Sequence, residues 1–543
     1  MPETPPSTPS DAGRADWLLT GGAIETFDPA RPPATAIAIR DGRVLAVGET
    51  AELEALAGPG TRRTDLGGRA VLPGFCDTHI HFEKVAHEFG YLQLRDARSV
   101  ADVLDAVAAR AARAAPGEWI RCNGDDAGWH EHNLAERRLP HGDELDAAAG
   151  GRPVFLYRRP DHGVLGGAAA ERLRELLAGF SAEEWDPATG WLRGPAVRVV
   201  NDSLYRPGVH EQEHRLRILC EASRRLLAMG VTGVVDPGLP AAFEPSWELY
   251  RQAGERGLIA QRVWLMNRLD WRRPFQEEYE RVRATVVPPP AAGGLLRPWA
   301  VKLLLDGEFT GAWMRPGEEQ GEPGAGARYS EEELRAVLSL CAERGRPLCV
   351  HAMGAGAIEA VTRAVRAMRE RLTPGQVSIA HAFLIDAPLI RECAELDIRI
   401  SVQPALAYTY AREMRQAWGP LAGRNNPLAT MAALGLRFAG GSDTHPCAPL
   451  AGASIAVTRR AWDGSSLGGH EALTPREALA MFTREAGHYT GSGALGTLVP
   501  GAPADLAIWA RSPLDLAPQE WPGLRPDLVA VAGRAVWAPD EHL

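Results

Sequence analysis

The chain has 543 residues, 45% of them hydrophobic and 24% charged, an ordinary composition that can bury a large core over more than one domain. Its net charge of −10 argues against a nucleic-acid or anionic-membrane surface, either of which needs concentrated basic charge. No uninterrupted apolar run approaches the ~20 residues of a membrane span, so a small-molecule partner is expected rather than nucleic acid or membrane.

Residues 1–14, MPETPPSTPSDAGR, carry no apolar stretch and are expected to form a disordered tail, not a signal peptide. From 15 to 70 the chain reads as short strands: "DWLLTGGAIET", "ATAIAIRDGRVLAVG" and "RRTDLGGRAVL" alternate apolar and polar residues around Gly-Gly and Asp-Gly turns. Residues 490–543 return to this style in "GTLVPGAPADLAIWA" and "LVAVAGRAVW". One small discontinuous β-sandwich built from both termini is therefore expected.

Between them, residues 71–489 have another rhythm. The apolar runs "AVLPGFCDTHIH", "VTGVVDPG", "LIAQRVWLMN", "RPWAVKLLLDG", "RPLCVHAMG", "QVSIAHAF", "IRISVQPA" and "LRFAGGSDTHP" alternate with helix-like segments such as "SEEELRAVLSLCAERG". Short, wholly apolar strands between helices mean βα units and a buried parallel sheet. Eight of them in this order predict an α/β fold, the closed (β/α)8 TIM barrel. Residues 83–205 break the rhythm with one helix, "SVADVLDAVAARAARAA", then Gly-, Trp- and His-rich loops and the strand-like "RPVFLYRR". They are read as an insertion after the first barrel strand that covers the active site. The segment 286–298 reads as a surface loop, and the Gly- and Glu-rich 315–330 as a mobile lid.

Barrel enzymes place their working residues at the C-terminal ends of strands. Here the first strand ends in His79-Ile80-His81, where period-two geometry turns both imidazoles to one side. The fifth ends in His351, the sixth in His381 and the eighth in Asp443. A lone strand histidine is more often a hydrogen-bonded core residue than a ligand. Four with an aspartate at four strand ends are hard to get by accident, and such a set suits a divalent metal, Zn2+ by default, with one or two ions per subunit. Lys302, inside "WAVKLLLDG", is costly to bury as a cation. Either it pairs with Asp306 or another carboxylate, or it is a neutral amine that takes up CO2 as N6-carboxylysine and bridges two metals.

The stretch "VLPGFCDTHIHF" resembles the strand-1 signature of the amidohydrolase superfamily. "AVKLLLDG", "CVHAMGAGAIEAV", "SIAHAFLI", "GGSDTHP", "LTPREALAMFT" and "GTLVPGAPADLAIW" are similar to its N-substituted formamide deformylase-like (YtcJ-like) branch, and the similarity runs from about residue 17 to the C-terminus. The resemblance implies that His79 and His81 bind one metal with Asp443, that His351 and His381 bind a second, and that carboxylated Lys302 bridges them. It also implies the composite β-sandwich. His162, in "YRRPDHGVLGG", matches a family histidine that reaches the substrate, although the asparagine usual five residues later is Gly167 here.

The expected chemistry is hydrolysis of a non-peptide C–N bond in an amide, N-substituted formamide or cyclic amide. The metal lowers the pKa of water to ~7, Asp443 moves the proton from water to the leaving amine, and His162 helps to polarise the carbonyl. Alternatives on the same site are deamination of an aminoheterocycle, a lyase or isomerase reaction, and a binding scaffold without activity. Expected substrate contacts are Trp129 and His130, within a polar-aromatic cluster with Asp125, Asp126 and His132, together with Gln403 and Asp306. His445 is read as capping its own loop. The seven cysteines are scattered singly with no CxxC pair, so reduced thiols in a cytoplasmic protein are expected. Among oligomers a homodimer is the expected state.

Overall fold

Eight short apolar segments build a single parallel sheet in the computed structural model, which describes residues 13–94, 96–115, 117–123, 131, 134–158, 162–204, 212–318, 326–443 and 447–539. They are β1 (Phe75–Asp77), β2 (Val231–Asp236), β3 (Arg262–Arg268), β4 (Leu296–Leu304), β5 (Leu348–Ala352), β6 (Val377–His381), β7 (Arg399–Val402) and β8 (Phe438–Gly440). Each pairs with the next in chain order. The two ends of the sheet then meet: Ile80 bridges Asp443 in parallel, and the Thr78 N–H donates to the Gly440 carbonyl at 3.1 Å. This is the (β/α)8 barrel. Its strands are apolar on both faces because helices cover the outside, and β2, β5 and β6 are buried at every residue.

Local sequence sets the helix starts between the strands. Ser330 and Glu333 form a reciprocal capping box at the start of Glu331–Glu343, and the Asp386 side chain accepts the Leu389 N–H to open Ala387–Glu395. The seven residues 319–325 of the expected lid lie outside the described residues. Arg315, just before them, pairs with Glu359 at 3.0 Å and Asp386 at 2.5 Å.

Two further sheets come from the chain ends. One orders Arg43–Gly48, Ala36–Arg40, Trp17–Thr20 and Arg62–Asp65; the other orders Ala23–Ile24, Ala70–Pro73, Leu506–Trp509, Leu528–Val531 and Arg534–Trp537. The second thus joins N- and C-terminal strands, and Leu19, Ile37, Ile39, Val71, Leu506 and Ile508 share one apolar core. Ala70–Pro73 belongs to this sheet, so the barrel begins at Phe75 rather than at 71. Of the expected tail, residues 1–12 lie outside the described residues, while the Arg14 guanidinium donates to the Ala57 carbonyl at 2.7 Å.

The chain forms two compact units, one running to Phe82 and resuming at Cys220, the other Glu83–Leu219. The second is more regular than the sequence suggests. It holds a six-stranded sheet in the order Trp185–Asp186, Trp191–Arg193, His162–Leu165, Val154–Arg158, Ile120–Asn123, Leu92–Gln93. Val103, Val107, Leu145, Leu156 and Val164 lie in its own core. Strands of two to five residues are too short to show a period. The unit also extends past the expected end at 205, because buried Arg215 pairs with buried Glu83.

Arg262 at the start of β3 pairs with buried Asp505 through Nε–Oδ2 at 2.6 Å and Nη2–Oδ1 at 3.0 Å, tying the barrel to the strand Leu506–Trp509. Removing one partner leaves a buried charge uncompensated. Asp505→Ala is expected to lower stability by about 3 kcal/mol in urea unfolding; a loss below about 0.5 kcal/mol would mean the pair holds nothing.

Candidate metal centre

The site is built on the seam where the barrel closes. Asp77, the last residue of β1, is fully buried, and its Oδ1 accepts the His79 N–H at 3.1 Å and the Ser442 N–H at 3.0 Å. One carboxylate thereby holds the ends of β1 and β8 together. Burial pushes its pKa up to about 7 against the pull of those N–H groups. The Thr78 hydroxyl adds contacts to Ser401 Oγ at 2.8 Å and the Gly440 carbonyl at 3.0 Å. Backbone bonds run from Asp443 N–H to the His79 carbonyl at 2.5 Å and from His81 N–H to the Asp443 carbonyl at 3.1 Å. The approach is close enough to demand glycine at 441, where a Cβ would lie 2.7 Å from the His79 Cβ.

These contacts fix three side chains. Asp443 Oδ1 lies 3.3 Å from His81 Nε2 and 3.9 Å from His79 Nε2. Across the barrel mouth, the His381 ring centroid is 5.0 Å from that of His79 and 4.3 Å from that of His351. Ligand atoms of His79, His381 and Asp443 all fall within 4.8 Å of one another. Asp443 and His381 have φ of +65° and +83°, a left-handed region that favours glycine and that other residues adopt at a cost. Buried Asn426 supports the second turn, its Nδ2 donating to the His381 carbonyl at 2.8 Å.

The electrostatics leave His79, His351 and His381 neutral. Burial first, then Lys302 and the neighbouring histidines, hold His79 well below the usual range. Burial and then His381 do the same for His351, and burial with Lys302 holds His381 down to about 3. His79 Nδ1 and His381 Nδ1 are buried without a hydrogen-bond partner among the described residues. Neutral imidazoles with open lone pairs beside a carboxylate are the donor set a divalent cation needs, so the residues present fit a metal. Lys302 is 2% exposed, and burial lowers its pKa too. Its Nζ contacts Cys349 Sγ at 3.6 Å. The tightest ligand group thus draws on β1, β6 and β8 together, whereas the resemblance divides those histidines between two ions.

Other expected residues are placed differently. Asp306 is 0% exposed, and its carboxylate accepts the N–H groups of Trp313 and Gly354 at 3.0 Å and Met353 at 3.1 Å. It is neither open to a substrate nor seen paired with Lys302. Instead its Oδ1 lies 3.5 Å from His351 Nε2, which also contacts the Gly307 carbonyl at 3.3 Å. Gln403 is likewise buried, its Nε2 donating to the Ser401 carbonyl and hydroxyl at 3.0 Å, and its side chain also meets His381. His162 opens the strand His162–Leu165 in the insertion unit, registered against Arg158 and Arg193. Gly167 starts a helix there, its N–H donating to Asp146 Oδ2 at 2.6 Å. Asp125, Asp126, Trp129, His130, His132 and His445 lie outside the described residues.

Sequence reasoning singled out neither Asp77, Asn426 nor Cys349. Asp77 had a visible signal, a carboxylate interrupting an apolar strand two residues before His79. Asn426 and Cys349 had none. All seven cysteines are free thiols, and among the described residues no helix is long and apolar enough to cross a membrane.

Residues 63–537 match the amidohydrolase family. The N-substituted formamide deformylase of Arthrobacter pascens is 27% identical over 529 residues, covering 93% of this chain and 95% of that protein. The putative amidohydrolase YtcJ of Bacillus subtilis (strain 168) is 24% identical over 550 residues, covering 95% and 98%. Among solved structures, an uncharacterized metal-dependent hydrolase from Pyrococcus horikoshii OT3 superposes with a TM-score of 0.78 at 21% identity, over 93% of this chain and 99% of that one.

Asn426→Ala is expected to destabilise the protein by about 1–3 kcal/mol, the cost of leaving the buried His381 carbonyl without its donor. Thermal unfolding measures it, and an unchanged midpoint would show that the strained turn at His381 stands without Asn426.

Proposed function

Since the chain belongs to the amidohydrolase family, we propose that it is a metal-dependent hydrolase of non-peptide C–N bonds, acting on an amide, N-substituted formamide or cyclic amide. The observation that carries this reading is the meeting of His79, His381 and Asp443 within 4.8 Å at strand ends of the barrel. The near full-length similarity to a protein named N-substituted formamide deformylase supports the bond type.

His79, His81, His351, His381 and Asp443 would hold the metal, with zinc preferred by the mix of imidazole and carboxylate donors. Lys302 joins them as a carbamate, because burial favours the neutral amine whose lone pair attacks CO2. A divalent ion in this position supplies an electrophile for the carbonyl and lowers the pKa of water to ~7. The other steps belong to the chain. Asp443 keeps part of its carboxylate exposed, with 18% of the side chain accessible. It accepts the proton of the attacking water and returns it to the leaving nitrogen as the C–N bond breaks. His81, 3.3 Å from Asp443 Oδ1, fixes the direction of that carboxylate.

Two measurements test this. Asp443→Asn is expected to keep the fold and lose at least ~10²-fold in kcat for amine release from amides and formamides; near wild-type turnover would remove Asp443 as the proton carrier. Treatment with a chelator is expected to abolish amine or ammonia release and added Zn2+ to restore it. Full activity in protein shown to hold no metal would overturn the reading, and ammonia release from aminoheterocycles alone would turn it to deamination.

A further inference from the structure

The hydrogen bonds beneath Lys302 run in one direction. Parallel register sets Lys302 on β4 beside Cys349 on β5, and Cys349 beside Ser378 on β6. Residues paired in this way leave the sheet on the same face. Tyr489, on the helix Arg484–Thr490, reaches the same layer, and all four side chains are buried. Lys302 Nζ donates to Cys349 Sγ at 3.6 Å, Sγ meets Tyr489 Oη at 3.6 Å, the Tyr489 hydroxyl donates to Ser378 Oγ at 3.4 Å, and the Ser378 hydroxyl donates to the Leu348 carbonyl at 3.5 Å.

The order of donors follows from the number of hydrogens. Tyr489 has one hydroxyl hydrogen and gives it to Ser378, so the thiol hydrogen goes to Tyr489 Oη. That leaves Cys349 Sγ as an acceptor for Lys302. Burial holds the Tyr489 hydroxyl protonated, well above its ordinary range, which keeps it a donor. The thiol hydrogen and both hydroxyl hydrogens are thereby assigned, and the chain ends on a backbone carbonyl.

We propose that Cys349 is a positioning residue for Lys302: its Sγ takes one Nζ hydrogen and thereby aims the other face of Nζ, and the carbamate formed there, at the His79–His381–Asp443 group. This rests on the role proposed above for Lys302. When the Nζ lone pair attacks CO2, an N–C bond forms, a C=O electron pair moves onto oxygen, and one Nζ proton leaves to solvent base. A single N–H remains, and Cys349 Sγ is the acceptor that holds it. With an apolar side chain at 349 that N–H has no partner, and the lysine is free to take other rotamers.

The test compares wild type, Cys349→Val and Cys349→Ser by two readouts besides activity. These are the carbamate resonance after incubation with 13C-bicarbonate, and zinc affinity by competition with a chelator. Wild type is expected to show the resonance. Cys349→Val is expected to lose most of it and about 10–100-fold in zinc affinity, as metal sites do when an outer partner is removed. Cys349→Ser, whose hydroxyl also accepts, is expected to stay near wild type. Should Cys349→Val fail to fold, Cys349→Ala carries the same comparison. Wild-type resonance and zinc affinity in the apolar variant would overturn the role of Cys349 and leave the metal-centre reading intact. No resonance in the wild type would overturn the role of Cys349, and no stoichiometric zinc would overturn the metal-centre reading with it.

Discussion

Closure of the barrel at the β1–β8 seam is the constraint from which the rest follows. Two strands far apart in the chain are held by the Asp77 carboxylate, the Thr78 hydroxyl and backbone bonds between His79, His81 and Asp443. Because those same residues carry the candidate ligands, the bonds that shut the sheet also set the distances between donors. A ligand set placed on loops would need separate support; here it inherits the rigidity of the sheet.

The candidate centre is assembled at an electrostatic cost that a bound cation would relieve. Burial and mutual repulsion leave His79, His351 and His381 neutral, and two buried nitrogens have no hydrogen-bond partner among the described residues. Backbone strain adds to this at His381 and Asp443, whose positive φ values turn their side chains. Supporting groups are correspondingly specific. Asn426 fixes the His381 carbonyl, Asp306 gathers the loop after β5 beside His351, and Cys349 lies under Lys302. Each of these is fully buried, as groups that orient ligands from behind must be.

The barrel and its candidate ligands are legible because a strand covered on both faces must be apolar throughout, so a histidine or aspartate closing such a run stands out. His79, His81, His351, His381 and Asp443 stand out in this way, and Lys302 stands out as a cation inside such a run. Direction is not legible. Asp306 lies just past a strand end like the candidate ligands, yet its carboxylate turns into backbone N–H groups, which position in the chain alone does not reveal. Cys349 and Asn426 matter through register and loop packing between elements tens of residues apart, and no local pattern encodes that. The insertion reads as mostly loops because its strands, two to five residues long, are too short for a two-residue period to emerge.

The most direct measurement of the whole account is the position of bound metal in crystals of the zinc-loaded protein, located by anomalous scattering at the zinc edge. A peak is expected within coordination distance, ~2.0–2.2 Å, of His79, His381 and Asp443. A fully loaded crystal with its only zinc away from these three residues would contradict it.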